Sequence, residues 1–187
     1  MILAFHKPYG VLSAFTPDGS PNRTLAEFGF PPRVYPLGRL DADSEGLLLL
    51  SDEKGLNHRL LDPRFEHRRT YWAQVEKVPE TAALDQLRRG IRLRDLQTRP
   101  CQAWILEPQP NLPERIPPIR VRKLIPTCWL GLTLTEGKNR QVRRMTAAVG
   151  HPTLRLIRTL IGDFPLADLP PGAWGPLSES DRILLRL

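Results

Sequence analysis

Leu47 to Leu50 form an unbroken leucine run between Gly46 and the polar turn Ser51-Asp52-Glu53-Lys54-Gly55. A short apolar run between turn signals predicts a strand buried on both faces, although periodicity alone leaves a buried helical segment open. From Thr70 to Val75 the pattern has period two, with Tyr71, Ala73 and Val75 on one face and Trp72 and Gln74 on the other. That is a strand. Glu80 to Arg89 follows Pro79, precedes Gly90 and carries Ala83, Leu84 and Leu87 at helical spacing, so a capped helix is expected. Arg120 to Ile125 and Trp129 to Thr135 alternate as two further strands, the second with Leu130, Leu132 and Leu134 on one side. In Asn139 to Val149, the residues Val142, Met145 and Val149 share one helical face, Asn139 fits an N-cap and Gly150 the position beyond the C-terminus. At about 100° per residue, Arg140, Arg143 and Arg144 fall on the opposite face.

Between these elements the chain is stiff and irregular. Residues 1 to 15 alternate loosely until Lys7-Pro8-Tyr9-Gly10, which predicts a short strand entering a turn. Pro17, Pro21, Pro31, Pro32 and Pro36 make residues 16 to 36 mostly loop around a small apolar patch at Leu25 to Phe28. Glu107 to Pro118 is proline-rich and aperiodic, hence a surface loop. There is no fixed-period repeat. Strands dominate and helices punctuate them, so the expected class is α+β, with a mixed, mainly antiparallel central sheet and flanking helices.

Composition narrows the field of functions. With 187 residues, 41% hydrophobic and 25% charged, the chain can bury a core and suits one domain or two small lobes. Lys and Arg number 27 against 20 Asp and Glu, a formal charge of +7 that favours a polyanionic partner, nucleic acid first. Cys101 and Cys128 are too few for a disulfide framework and lack the neighbours of a zinc set. The opening Met-Ile-Leu-Ala-Phe is too short for a signal segment, and no apolar run approaches the ~20 residues that span a bilayer. A soluble, cytoplasmic protein is expected.

Two segments could carry chemistry. The first is Gly38-Arg39-Leu40-Asp41-Ala42-Asp43-Ser44-Glu45-Gly46. It reads as an acidic solvated turn, as a calcium loop, as an aspartyl phosphotransferase site, or as a carboxylate nucleophile at Asp41 held ionised by an arginine. The calcium reading lacks an entering helix and a bidentate glutamate, since Pro36 and Gly38 precede it and Asp52 stands at the last ligand position. The phosphotransferase reading lacks a good preceding strand and a glycine-rich phosphate loop. The second segment is Glu136 to Met145, within a tract holding Arg115, Arg120, Arg122, Lys123, Lys138, Arg140, Arg143, Arg144, Arg155 and Arg158 with Glu136 as its only acid. A solvated helix normally mixes both signs, so this tract suits a phosphate backbone.

Taken in order, His6-Lys7-Pro8-Tyr9-Gly10, Gly38-Arg39-Leu40-Asp41-x-x-Ser44-x-Gly46 with its leucines, Arg69-Thr70-Tyr71 and Glu136-Gly137-Lys138-x-Arg140-Gln141-Val142-Arg143-Arg144-Met145 resemble the motifs of pseudouridine synthases of the RsuA branch. The likeness spans roughly residues 2 to 185. Pro117-Pro118-Ile119-Arg120 and Ile125-Pro126-Thr127-Cys128-Trp129 resemble its members that act on large-subunit ribosomal RNA. The resemblance implies a fold of two subdomains with the cleft between them, making residues 1 to 187 one catalytic domain without the branch's usual N-terminal S4 domain. It implies no metal and no cofactor. The substrate would be a uridine of large-subunit ribosomal RNA, free or in an assembling particle, and the enzyme a monomer without membrane association. Asp41 aligns with the catalytic aspartate, Tyr71 with the tyrosine packed on the target base, and Arg143 with the aspartate's basic partner. Lys7, Arg39, Arg120, Arg122, Lys123, Lys138, Arg140 and Arg144 are the expected RNA-binding residues. Arg69 and Ser44 depart from the lysine and threonine common in the family. The competing readings are a non-catalytic RNA-binding or ribosome-assembly protein and a metal-dependent phosphotransferase.

Overall fold

The computed structural model describes residues 1–120 and 122–186. In chain order the elements are β1 (Ile2–Lys7), β2 (Tyr35–Pro36), β3 (Glu45–Ser51), α1 (Leu56–Leu61), β4 (Arg69–Glu76), α2 (Thr81–Arg89), β5 (Gln102–Ile105), β6 (Thr127–Leu134), α3 (Gln141–Ala148), β7 (Thr153–Ile161), β8 (Phe164–Pro165), β9 (Trp174–Pro176) and α4 (Glu179–Leu184). Short 3-10 turns lie at Leu25–Phe28 and Pro63–Phe65. The chain forms two compact units, Met1–His67 with Ile157–Leu187, and Arg68–Leu156. Among the described residues no helix is long and apolar enough to cross a membrane.

The first unit is organised around β3, every residue of which is buried. β3 pairs antiparallel with β1, setting Phe5 opposite Leu48 and Ala4 opposite Leu49, and parallel with β7 through Glu45–Ile157 and Gly46–Arg158. The strand order here is β7-β3-β1-β9. Leu47 and Leu49 share a cluster with Ile2 and Ala4 of β1, Leu56 and Leu60 of α1, Ile161 of β7 and Leu185. Leu48 and Leu50 point the other way, as strand alternation requires. That face belongs to Phe5, whose ring meets Phe28 at 4.8 Å and Phe30 at 5.0 Å edge-on. Each fully buried leucine contributes about 1.5–3 kcal/mol, so the run works only with cover on both sides.

In the second unit β6 pairs antiparallel with β4 from Arg69–Leu134 to Glu76–Thr127 and with β5 from Gln102–Thr133 to Ile105–Leu130. The order is β5-β6-β4-β7. Ala73, Val75, Leu130, Leu132 and Leu134 face one way, where Leu84 and Leu87 of α2 and Val142 and Met145 of α3 close a single core. On the other face Gly131 stands between Trp72 and Trp104 in register. A Cβ on Gly131 would lie 2.3 Å from the Trp104 ring, so the indole rests directly on the backbone. The two tryptophans line a cavity of about 300 Å³ together with Ile105, Leu106, Glu107, Pro108 and Pro110, on the face of β4 opposite Tyr71.

The α+β class and the mixed, mainly antiparallel sheet are as expected. One expected strand is absent: Arg120 and Arg122 to Ile125 form no ladder, and the Ile125 amide closes a turn on the Arg122 carbonyl at 3.0 Å; Val121 lies outside the described residues. Alternation makes a strand only where a partner edge is offered, and Leu124 is 96% exposed. The helix over 139 to 149 starts later, at Gln141, with Arg140 rather than Asn139 at its N-cap. β7 shows no clean period in the sequence because Arg155 and Arg158 are buried within it beside Leu156, Ile157 and Ile161.

Gly46 is where β1, β3 and β7 meet, opposite Lys7 on one side and Arg158 on the other. Its φ is +104°, and a Cβ would lie 2.3 Å from the Arg158 carbonyl oxygen, which is backbone and cannot swing aside. Gly55 has a similar φ of +84° with nothing within 4 Å of its Cβ position. Gly55→Ala should therefore cost about 1–2 kcal/mol from conformation alone, and Gly46→Ala about 1–3 kcal/mol more from the clash. Urea unfolding of the two variants checks this, and equal losses would refute it.

Candidate active site

After Leu37, whose amide donates to the Leu49 carbonyl at 2.7 Å, the chain leaves the sheet ladder and is held by side chains instead. Gly38, at φ +78°, donates its N–H to Asn57 Oδ1 at 3.0 Å. Leu40 donates its N–H to Ser13 Oγ at 3.0 Å and accepts the Ser13 hydroxyl on its carbonyl at 2.8 Å. The Ala42 carbonyl accepts from the Gly10 amide at 2.7 Å and, more weakly, from Lys7 Nζ at 3.5 Å. The Ser44 amide then closes a turn on the Asp41 carbonyl at 3.0 Å. Alternate residues Gly38, Leu40 and Ala42 are thus fastened, while Arg39 is exposed and Asp41 and Asp43 are half-buried. The segment presents a carboxylate from a backbone with little freedom.

Lys7 corrects one expectation. It is fully buried, and its ammonium donates to the carbonyls of Pro8 at 2.9 Å and Val11 at 2.7 Å. A lysine so enclosed holds the segment that packs on the Asp41 loop and has no access to a phosphate. Burial pulls its pKa from 10.5 down to about 7. Glu45, Asp43 and Asp41 pull it back up, and Arg158 pushes it further down. Arg158 is itself buried and donates its Nε to the Leu47 carbonyl at 2.8 Å. Glu45 lies buried in β3 rather than in an open loop, and among the described residues no three His, Cys, Asp or Glu side chains gather to hold a metal. The calcium-loop geometry is therefore not formed.

The second unit carries the basic residues. Gln141, buried at the start of α3, accepts the Lys138 amide at 3.0 Å and donates to Glu136 Oε1 at 2.6 Å, which also accepts the Arg99 amide at 2.8 Å. This network fixes the turn that exposes Lys138 and Arg140, the latter in a left-handed conformation at φ +50°. Arg143 is half-buried and donates to the Thr153 carbonyl at 3.2 Å. Arg144 pairs with Asp95, and Arg122 lies 3.4 Å from Glu76. Arg120 and Lys123 are exposed. Tyr71 is half-buried against the β4–β6 core.

Lys7, Arg39 and Asp41 thus belong to the first unit; Tyr71, Arg120, Arg122, Lys123, Lys138, Arg140, Arg143 and Arg144 belong to the second. Ser13, Asn57 and Arg158 act on the loop or its strand without any signal in the linear pattern. Glu136 and Gln141 stood within a recognisable motif, but their mutual bond is a property of the fold.

The Lys7 environment has a measurable consequence for stability. The unfolded chain holds the lysine proton up to the ordinary value of 10.5, and the native chain releases it near 7. Between those values the unfolded state binds more protons, so native stability rises with pH; below about 7 both states are charged and the burial cost is fully present. Relative to Lys7→Met, the parent should gain on the order of 1 kcal/mol per pH unit between pH 7 and 9. Unfolding curves of the two proteins that stay parallel across that range would disprove it.

Residues 1–148 match the family described as RNA pseudouridylate synthase. That span contains the Asp41 loop, β4 with Tyr71, and α3. Ribosomal large subunit pseudouridine synthase E of Xanthomonas axonopodis pv. citri (strain 306) is 58% identical over 172 residues, covering 91% of this chain and 90% of its own. The protein of the same name from Vibrio vulnificus (strain CMCP6) is 50% identical over 177 residues, covering 95% of this chain and 75% of its own. A crystal structure of a pseudouridylate synthase superposes with a TM-score of 0.81 at 28% identity, over 98% of this chain and 73% of that one. With its motif segments inside the matched span and its fold shared with a solved synthase, the chain belongs to the RNA pseudouridylate synthase family.

Proposed function

We propose that this protein isomerises one specific uridine of large-subunit ribosomal RNA to pseudouridine, with Asp41 as its catalytic carboxylate. The observation that carries the reading is the loop itself: a half-buried carboxylate on a backbone fastened at Gly38, Leu40 and Ala42, next to the exposed Arg39. A pure RNA binder gains nothing from holding an anion toward phosphates. The names of the relatives supply the class of RNA. In this reading residues 1 to 187 act as one catalytic domain, a monomer in the cytoplasm, on RNA that is free or in an assembling particle.

The chemistry requires little beyond this chain. The N1–C1′ bond of the uridine breaks, the uracil turns, a C5–C1′ bond forms, the C5 proton leaves and N1 takes up a proton, so product and substrate have the same composition and no electrons are exchanged. Asp41 provides the nucleophile that holds the intermediate, at the sugar or at the base. It must be ionised, which is the role proposed for Arg143, since a nearby cation favours the carboxylate. Tyr71 offers the aromatic face that offsets part of the few kcal/mol spent in unstacking the target, and its phenol helps remove the C5 proton. Arg39, Arg120, Lys123, Lys138 and Arg140 are exposed and suited to phosphates. Arg122 and Arg144 already hold the carboxylates of Glu76 and Asp95. These pairs are partly exposed and weak, so a phosphate can displace them.

Asp41→Asn is nearly isosteric but no nucleophile. It should cut single-turnover pseudouridine formation at least ~100-fold with RNA affinity unchanged or improved, and Arg143→Ala should cut turnover strongly while keeping most of the affinity. Retention of near-parental rates by Asp41→Asn, with pseudouridine mapped by sequencing of the treated RNA, would end this assignment. Arg140→Ala should instead leave the rate at saturating RNA intact and flatten the slope of log affinity against log salt by about 0.7–0.9. An unchanged slope would remove Arg140 from the RNA contacts.

A further inference from the structure

We propose that Ser13 is a positioning residue for the isomerisation: its hydroxyl, bonded to both backbone groups of Leu40, sets the direction in which the Asp41 side chain leaves the loop. The inference rests on the reading of Asp41 as the catalytic carboxylate.

A residue in a strand has its N–H and C=O taken by a neighbouring backbone. Among the described residues no backbone group pairs with Leu40, and one serine oxygen serves both of its groups, accepting from the amide at 3.0 Å and donating to the carbonyl at 2.8 Å. The carbonyl so held is the one joined to the Asp41 nitrogen, so the bond fixes the peptide plane on which Asp41 pivots. Ser13 is in turn fixed from both sides. The Leu12 amide donates to the Arg23 carbonyl at 2.8 Å, the Leu25 amide to the Ala14 carbonyl at 2.9 Å, and Val11 is fully buried. Asn57 is the natural contrast. Its Oδ1 accepts the Gly38 amide at 3.0 Å, and Leu40 intervenes between that hold and Asp41. On the far side, Ala42 is held by backbone and by Lys7. Without the Ser13 hydroxyl, Gly38 and Ala42 would still be anchored while the peptide before Asp41 could rotate, with water taking the two freed groups. Misplacing a reacting group by about 1 Å can cost on the order of 100-fold in rate.

Single-turnover rates at saturating RNA, RNA affinity and melting temperature should be measured for Ser13→Ala, Ser13→Thr, Asn57→Ala and Asp41→Asn. Ser13→Ala should lose about 10–100-fold in rate with affinity within about threefold. Ser13→Thr keeps the hydroxyl and should remain within about threefold of the parent, and Asn57→Ala should lose less than Ser13→Ala. Should Ser13→Ala fail to fold, Ser13→Cys, close in shape but a weak hydrogen-bonding partner, carries the same expected loss. Parental rates for the Ala or Cys variant beside an inactive Asp41→Asn would overturn the Ser13 role alone. Losses in Ser13→Ala and Asn57→Ala that simply track their melting temperatures would also overturn it, because the hydroxyl would then support folding and not aim. An active Asp41→Asn would overturn the reading of Asp41 and this inference with it.

Discussion

The close approach of β3 to β7 at Gly46 is the contact on which the first unit depends. The Arg158 backbone fills the space where a side chain would stand, and three strands come into register there. Because Gly46 is fixed between Lys7 and Arg158, β3 runs on as a strand buried on both faces, and the loop that precedes it must arrive in one place. The leucine run then has its two covers, the aliphatic cluster with α1 on one side and the phenylalanine cluster on the other. A loop attached to so constrained a strand can carry a reactive group without drifting.

That arrangement is bought with buried charge. Lys7 and Arg158 sit inside the unit near Glu45, and Arg158 Nη2 has no hydrogen-bond partner among the described residues. An unmet buried donor costs about 1–3 kcal/mol, and an apolar pair would be cheaper. Proteins concentrate such departures from local rules at functional sites. Here the charged groups reach backbone carbonyls of the segments around the Asp41 loop, at Pro8, Val11, Ala42 and Leu47, bonds that an apolar side chain could not make.

The second unit meets a different demand. Its helices pack on one face of the β4–β6 ladder, and the turn entering α3 is set by the bonds among Glu136, Gln141, Lys138 and Arg99 rather than by a side-chain cap. The only acid of the basic tract is thereby consumed internally. Its negative charge is spent on two N–H groups, leaving Lys138 and Arg140 exposed on the same turn. The excess positive charge that suits an RNA backbone comes from the tract's own composition, and the fold decides which groups its one glutamate holds.

Much of this is legible in the chain itself. The leucine run, the alternation of β4 and the apolar stripe of α3 report local periods, and burial of one face or two follows from them directly. The ordered motifs around Lys7, Asp41, Tyr71 and Arg143 were enough to point to the family that the comparisons show. Lys7, however, was expected to face RNA and is enclosed, because a lysine's environment is decided by what packs over it. Of the strand expected over 120 to 125, the described residues Arg120 and Arg122 to Ile125 form no ladder, for want of a partner edge, and β7 shows no clean period because two of its buried residues are arginines. The hold of Ser13 on Leu40 and of Asn57 on Gly38 joins residues far apart in sequence. No linear pattern encodes such contacts, since periodicity records which face a residue takes and only the folded chain decides which other residue it meets there.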